Sequence, residues 1–562
     1  MGWLSLLILF AHKASYAAEF DVLGLDDELT DNVEYYLTPL ADVPATQLSK
    51  NKLTSLVNDA LNPYGYYHPQ LQLDIKDSKS AKLHIDSGPV VIIARSNIAI
   101  SGEAATDPDF TLLLEETPLA SGAPLRHAEY DHLKQGILSL AQKKGYLDGK
   151  FTASTIEVIP SQNRANIDLQ FVSGPRYKFG VLSVPDDGVD PKRIEQIATF
   201  KRGEGFDTIK LGEFQARLSE TGWFKSVYVK GDFNETGEED REIPIELIAE
   251  PSSKNIVQVG GGYSTDLGLR ASLNWTKPWY NRQGHSSEAQ AYLSEQEQSL
   301  LLSYKIPTQQ VTTDYYGVQF ESKHTDYRDT QSFSNDLTFE RYWQLDSAWQ
   351  SSVYLKYLRE QYKQASEEQL SQLLLPGISF SQVDRKNDRL EVKHRHMYSL
   401  EVSNSHLFSD SNILRIEGNS VLSWDISDSQ KLHFRSNVGI NFADSLSDVP
   451  SSLRYFAGGD GSLRGYDYES ISPKDENGEL TGGRYLLTAG LEYQHQVYRS
   501  IWMGIFFDAG DAFDEYIDVK RGTGVSLIWN STFMPVKLDF AYGLDAPKGD
   551  EFRIHFSLGA QF

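Results

Sequence analysis

From about residue 255 to the C-terminus, apolar and polar residues alternate in short segments, without helical periodicity. Such alternation is typical of β-strands with one apolar and one polar face. We count sixteen segments, which begin near residues 257, 268, 285, 298, 312, 330, 347, 370, 394, 412, 430, 484, 501, 522, 534 and 551. A share of about nineteen residues per segment accommodates a tilted membrane strand of roughly ten residues with its turn or loop. The pattern predicts a 16-stranded antiparallel transmembrane β-barrel over residues 255–562.

The last segment alternates most regularly. Its apolar positions are Phe552, Ile554, Phe556, Leu558, Ala560 and Phe562. A soluble β-sandwich could also end on such a strand, but the number of strands and the N-terminal segment described below favour the barrel.

The first half of the chain shows helical stripes between strand patterns, and it repeats three times. A glycine followed by an aromatic residue recurs at spacings of 80 and 77 residues, as Gly65-Tyr66, Gly145-Tyr146 and Gly222-Trp223. A second marker closes each repeat, as Ser87-Gly88-Pro89, Ser173-Gly174-Pro175 and, more weakly, Ala249-Glu250-Pro251. We predict three modules of order β-α-α-β-β at residues 19–87, 88–173 and 174–252.

The glycine–aromatic steps are interpreted as structural. A glycine can end a helix in the left-handed conformation, and the aromatic residue behind it can fill the space between helix and sheet. No set of acids, bases or nucleophiles repeats among the modules, so the sequence does not indicate an enzyme.

Residues 1–18 are predicted to be a secretory signal peptide. An apolar core at 3–11 precedes small residues at Ser15 and Ala17, although no Lys or Arg comes before the core. The chain has no cysteine, which excludes disulfides and is compatible with an oxidising compartment.

Charge excludes one class of partner. The net charge is −25, with 78 acidic against 53 basic residues, so nucleic acid is not an expected partner. The pair His394 and His396 has no adjacent third ligand, and the glycine run 260–262 opens no helix. We therefore predict no metal site and no cofactor.

A glycine-rich segment at 456–468 carries the most specific signal. It contains Arg464, Gly465 and Tyr466 within a long connection at about 443–483. The string Phe506-Phe507-Asp508-Ala509-Gly510 follows on a predicted strand. We expect Arg464 to pair with Asp508 beside Phe506 inside the barrel, with the loop closing the lumen. The alternative is an ordinary solvated loop arginine.

These motifs resemble the outer-membrane insertase superfamily, whose members join POTRA modules to a barrel and fold an R-G-[FY] loop inward. The sequence differs slightly, with Leu463 where a β-branched residue is usual and Tyr466 in place of the commoner Phe. The terminal Phe562 resembles the sorting signal of bacterial outer-membrane proteins. Three modules are typical of the TamA subgroup, whereas BamA-like members usually carry five and two-partner secretion transporters two.

The resemblance implies a function and a location. It implies a protein of the outer membrane, with its N-terminal modules in the periplasm, that contacts membrane lipid and inserts and folds client β-barrels and autotransporters. It also implies an inner-membrane-anchored, TamB-like partner, and no nucleotide. A secretion pore that threads a client through the lumen, or a passive porin or adhesin, is the alternative function.

The first and last strands of the barrel must pair to close it. The first strand carries Val257 and Val259 and then Gly260, Gly261 and Gly262, and the last carries Gly559 before Phe562. Glycines weaken a strand and let another backbone approach closely, so we predict a lateral seam here. The alternative is that these are ordinary glycines at a crowded wall.

Overall fold

A computed structural model describes residues 19–75, 80–186, 188–233, 241–308, 310–311, 313–345, 349–385, 392–530 and 535–558. The predicted signal peptide, Gly559 and Phe562 lie outside the described residues.

The N-terminal half forms three β-α-α-β-β modules, as predicted. The first contains β1 (Glu19–Leu23), α1 (Asp27–Leu37), α2 (Lys50–Leu61), β2 (Gln70–Ile75) and β3 (Ser80–Asp86). The second contains β4 (Ile92–Ser101), α3 (Pro108–Glu115), α4 (His127–Lys143), β5 (Lys150–Ile159) and β6 (Arg164–Val172). The third contains β7 (Lys178–Ser183), α5 (Pro191–Glu195), α6 (Thr208–Glu220), β8 (Phe224–Gly231) and β9 (Glu242–Pro251).

Each module has a three-stranded sheet in which the last strand is central. That strand runs parallel to the first strand of its module. Helical stripes pack on the sheet, so that Leu53 of α2 and Leu83 of β3 share one core, while Ile137 of α4 and Phe171 of β6 share another. An aspartate begins α1, where the Asp26 carboxylate accepts a hydrogen bond of 2.9 Å from the Leu29 amide.

The described part of the C-terminal half forms sixteen strands that close into a barrel. They are β10 (Ile256–Ser264), β11 (Gly268–Lys277), β12 (Ser286–Ser294), β13 (Glu297–Pro307), β14 (Asp314–Tyr327), β15 (Thr330–Gln344), β16 (Gln350–Gln364), β17 (Glu367–Arg385), β18 (Val392–Ser403), β19 (Ile413–Ser427), β20 (Gln430–Phe442), β21 (Tyr485–Tyr498), β22 (Ile501–Phe513), β23 (Lys520–Asn530), β24 (Pro535–Gly543) and β25 (Phe552–Leu558). The predicted fold class is thereby confirmed, and each predicted start lies within three residues of the observed one.

Alternation along the strands separates two surfaces of the barrel. On β22, Ile505 and Phe507 are exposed on the outside, whereas Phe506 and Asp508 are buried on the inside. Successive side chains of a strand point to opposite faces, which produces this division. None of the helices in the described ranges is long and apolar enough to cross a bilayer.

The glycine–aromatic steps adopt the predicted left-handed conformation, with φ of +89° at Gly65, +80° at Gly145 and +70° at Gly222. The first two of these glycines also form backbone hydrogen bonds with residues near the start of the next module. The Gly65 carbonyl accepts the Val91 amide, and the Gly145 carbonyl accepts the Tyr177 amide, both at 2.8 Å. A Cβ at Gly145 would lie only 2.8 Å from the Cβ of Phe206, so a side chain there would separate the two modules.

The three aromatic residues have different environments. Tyr66 packs partly buried against the first core, and Tyr146 lies edge-to-face on Phe110 with ring centroids 5.6 Å apart. Trp223 is buried, but its indole N–H donates at 3.2 Å to the Gly284 carbonyl in the β11–β12 turn of the barrel. The third glycine–aromatic pair therefore contacts the barrel, which follows the third module in the chain.

Candidate functional site: an inner-wall loop and a short seam

The connection between β20 and β21 doubles back on itself. The Ala457 and Ile471 amides and carbonyls exchange two bonds of 2.9 Å. Gly458, Gly459 and Gly465 have φ of +113°, +92° and +93°, which L side chains rarely adopt. The glycines thus permit the tight path that brings Arg464 back to the barrel wall.

Arg464 lies against Asp508, as the sequence predicts. Its Nε donates to Asp508 Oδ2 at 2.7 Å, and its Nη2 donates to Oδ1 at 3.0 Å. The Arg464 backbone amide also donates to Oδ2 at 3.2 Å. Arg464 is 1% exposed and Asp508 0% exposed, so this bidentate pair is removed from solvent. Such pairs fix orientation as well as charge.

The guanidinium has further contacts on the wall. Its Nη1 lies 2.5 Å from Glu492 Oε2 on β21 and 3.6 Å from Asp539 Oδ2 on β24. The Arg464 Cζ lies 3.4 Å from the ring centroid of Phe506, which places the cation on the face of an aromatic ring. Arg464 therefore touches three strands of the wall.

Two more cations balance this cluster. Arg435 Nη2 lies 2.8 Å from Asp508 Oδ2. Lys537 Nζ lies 3.4 Å from Glu492 Oε2 and 3.2 Å from Asp539 Oδ2. In the described part of the barrel, three cations thus face three carboxylates. Because burying a charge is costly unless it is paired, removing one member leaves another uncompensated.

Gly465 and Tyr466 extend the contact to the last strands. The Gly465 amide donates to His555 Nε2 at 3.1 Å. The Tyr466 hydroxyl donates to the Arg521 carbonyl at 3.1 Å and accepts from the Asp545 amide at 3.2 Å.

Gly510, at the end of the F-x-D-x-G string on β22, has a structural role. A Cβ at Gly510 would lie 2.6 Å from the Thr488 Cα, so Gly510 allows close approach of β21.

The loop has a second anchor on the other side of the connection. Arg454 Nη2 pairs with Glu367 Oε2 at 2.6 Å, and Arg454 Nε donates to the Val449 carbonyl at 2.8 Å. The Ser452 amide and hydroxyl donate to Glu360 of β16 at 3.0 Å and 2.5 Å. The loop is therefore bound to strands β16 and β17 as well as to β21–β25.

The described part of the seam between β10 and β25 is short. Among the described residues, these strands share two register pairs, Tyr263 with Leu558 and Ser264 with Ser557. By contrast, β10 and β11 share nine pairs, and β24 and β25 share seven.

The glycines of β10 differ in what they contact. A Cβ at Gly262 would lie 2.6 Å from the Leu558 carbonyl oxygen, so this glycine admits the last strand. Among the described residues, a Cβ at Gly261 would approach the Arg270 carbonyl oxygen alone, at 3.8 Å. Gly260 is half-buried, while Val257 and Val259 are 59% and 79% exposed. Among the described residues, β10 therefore contacts β25 at its C-terminal end, while its first half pairs with β11.

The sequence did not reveal several members of the cluster, namely Glu492, Asp539, Arg435, Lys537 and His555. Each is an ionisable residue at an inward position of a strand, and that position was a usable signal. His396, in contrast, bonds Ser420 Oγ at 3.1 Å, and no group of three potential metal ligands occurs among the described residues.

Comparison with known proteins identifies two segments. Residues 254–562 match the Omp85 superfamily domain, and residues 19–87 match the POTRA domain described as TamA domain 1.

Two relatives illustrate the similarity. Over 433 residues the chain is 22% identical to the outer membrane protein assembly factor BamA of Nitratidesulfovibrio vulgaris, which covers 70% of this chain and 53% of that protein. The chain thus spans about half the length of that curated relative. The crystal structure of BamA from Haemophilus ducreyi lacking POTRA domains 1–3 superposes with a TM-score of 0.70 at 16% identity, covering 84% of this chain and 100% of that one. The latter similarity shows a shared fold. Since the superfamily model matches more than half of its residues, the chain belongs to the Omp85 superfamily.

Proposed function

We propose that this protein is an assembly factor of the bacterial outer membrane, which inserts and folds client β-barrels, autotransporters among them. Its N-terminal modules would lie in the periplasm and its barrel in the lipid. The observation that carries the proposal is the seam, where β10 and β25 share two register pairs in the described part of the barrel. A closed barrel otherwise leaves no strand edge, so a weak seam is the place where another strand can enter.

The proposed mechanism is strand addition at this seam. When β10 separates from β25, its backbone amides and carbonyls become available to a client strand. Backbone hydrogen bonds form independently of side chains, which suits a range of clients. No nucleotide is required, because unpaired polar backbone in lipid is costly and pairing removes that cost.

The inner-wall loop has two roles in this proposal. Its contacts with Glu360, Glu367 and Asp508 hold it against the wall on both sides of the lumen, which argues against a passive pore. Arg464 fixes the part of the loop next to the last strands, where Gly465 contacts β25. The loop would therefore keep the lumen closed while the seam works.

The subgroup and its partner are further parts of the proposal. Three modules precede the barrel, and residues 19–87 match a TamA-type POTRA domain. These observations favour the TamA subgroup and hence a periplasm-spanning, TamB-like partner that docks on the modules. Co-purification of the full chain with such a protein from the same organism tests this, and a chain lacking residues 19–87 is the comparison.

Reconstitution tests the proposed function itself. The protein is placed in liposomes, an unfolded client barrel is added, and client insertion is followed by its protease-resistant, heat-modifiable form. We expect faster insertion than in empty liposomes and little leakage of a trapped dye. Free leakage without faster insertion would instead identify a pore and contradict the proposal.

A further inference from the structure

His555 and Asp266 connect the two sides of the seam. His555 lies on the last strand, and Asp266 lies in the turn that follows the first strand. His555 Nδ1 is 3.3 Å from Asp266 Oδ1, and the two residues are 5% and 6% exposed. This buried side-chain contact lies next to the two register pairs of the seam.

The hydrogen bonds define the state of the imidazole. His555 Nε2 accepts the Gly465 amide proton at 3.1 Å, so Nε2 carries no proton. The ring proton therefore sits on Nδ1, from which it is donated to the Asp266 carboxylate. Both ring nitrogens are thus used, one toward the loop and one across the seam.

The loop also contacts Asp266 directly. The Asp460 amide donates to Asp266 Oδ2 at 2.7 Å. The segment from Asp460 to Gly465 consequently touches the turn after β10 and the strand β25, while Arg464 between them is held by Asp508. One short piece of loop therefore connects both sides of the seam to β22, three strands from β25.

We propose that Asp266 and His555 are positioning residues that form a latch across the seam, and that the inner-wall loop holds this latch closed. This inference rests on the proposed function, in which the seam opens for a client. Such opening requires the contact between Asp266 and His555 to break. The loop thereby acts on the seam through His555 and Asp266, in addition to occupying the lumen.

The test measures seam separation without any client. The chain has no cysteine, so nitroxide labels can be placed on cysteines at Leu269 and Ile554, exposed residues of β11 and β25. Pulsed electron paramagnetic resonance then gives the distance distribution of the full chain in lipid nanodiscs. We expect one short distance for the otherwise unchanged protein. His555→Ala should raise the ratio of open to closed seam about tenfold or more, which would be seen as a second, longer distance.

Two variants accompany this measurement. His555→Gln keeps one acceptor and one donor, so it should restore most of the short distance. His285→Ala is the matched control, because His285 bonds Tyr304 near the β11–β12 turn, away from the seam. If His555→Ala does not assemble, Asp266→Asn replaces it, since an amide offers one oxygen where the carboxylate accepts two donors.

The outcomes separate the latch from the proposed function. An unchanged distance distribution in His555→Ala, or in Asp266→Asn where that variant is used, would overturn the latch and leave insertion activity as a separate question. A longer distance accompanied by unaltered client insertion would support the latch and count against the seam as the route of insertion.

Discussion

The guanidinium of Arg464 lies over the ring of Phe506, while the same guanidinium holds both oxygens of Asp508. Phe506 and Asp508 are two positions apart on β22, so both side chains face the lumen. A planar cation is required to satisfy the ring and the carboxylate together.

Replacing Arg464 tests this arrangement. Arg464→Ala leaves Asp508 buried without its main partner, and we expect a cost of about 3–5 kcal/mol in barrel stability. Arg464→Lys should recover only part of it, since a lysine cannot bond both oxygens in parallel. The heat-modifiability midpoint and the rate of client insertion check both variants. Arg341→Ala, which removes an exposed pair with Asp314, should leave both quantities unchanged.

A substitution at Gly522, on strand β23 of the barrel wall, tests the position of the loop. A Cβ there would clash with the Arg464 carbonyl oxygen, so Gly522→Ala should displace the loop and weaken the Arg464 contacts. Gly461→Ala is the control within the loop itself, because no heavy atom of the described residues lies within 4 Å of a Cβ at that position. Protease cleavage within residues 443–484 should increase for the first variant only. Equal cleavage of the two would count against this contact.

Trp223 tests the joint between the third module and the barrel. Trp223→Ala removes a buried ring at a typical cost of about 3–5 kcal/mol. Trp223→Phe keeps part of the ring packing but loses the N–H donor to Gly284. Hydrogen exchange of residues 279–285 should therefore rise strongly for Ala and weakly for Phe. An unchanged exchange in Trp223→Ala would refute a joint at this position.

The Asp107 carboxyl is expected to make the stability of the second module depend on pH. Burial would raise the pKa of its carboxyl, but bonds from Lys144 Nζ at 2.7 Å and from the Asp109 amide hold that pKa below the usual value. The folded pKa is lowered, so the carboxylate stabilises the module above the unfolded value of about 3.9. This stabilisation is lost as the pH falls through the folded value.

A fluorophore on a cysteine introduced at exposed Gln135 of α4 reports unfolding of this module in urea. The urea midpoint should fall between about pH 6 and about pH 3, and it should fall less in Asp107→Asn. The exposed Asp109, which also pairs with Lys144, supplies the control Asp109→Asn, and this variant should keep most of the dependence. The same pH dependence in Asp107→Asn as in the unchanged protein would contradict the assignment.

The sequence revealed the strands more fully than the contacts between them. Alternation depends only on neighbouring positions along one strand, so sixteen strand starts could be predicted within three residues. The left-handed glycines 65, 145 and 222 were also predictable, because a helix end has a local signature.

Contacts across the barrel depend on register and curvature, which no local pattern contains. Glu492 and Asp539 join Arg464 only because β21, β22 and β24 pair at one particular register. Similarly, the sequence predicts that the Trp223 ring fills the space between helix and sheet in its own module. In the structure, its indole N–H donates to the Gly284 carbonyl in a turn of the barrel. The lateral seam and the role of Arg464 in assembly stay predictions.

In the proposed mechanism, client strands enter between β10 and β25. The most direct measurement uses a disulfide between cysteines placed at the paired residues Tyr263 and Leu558, with a control disulfide between Ala289 and Leu302 on the paired strands β12 and β13. Oxidation should abolish client insertion in the seam variant, reduction should restore it, and the control should insert clients in both states. Full insertion activity with the seam covalently closed would contradict the account.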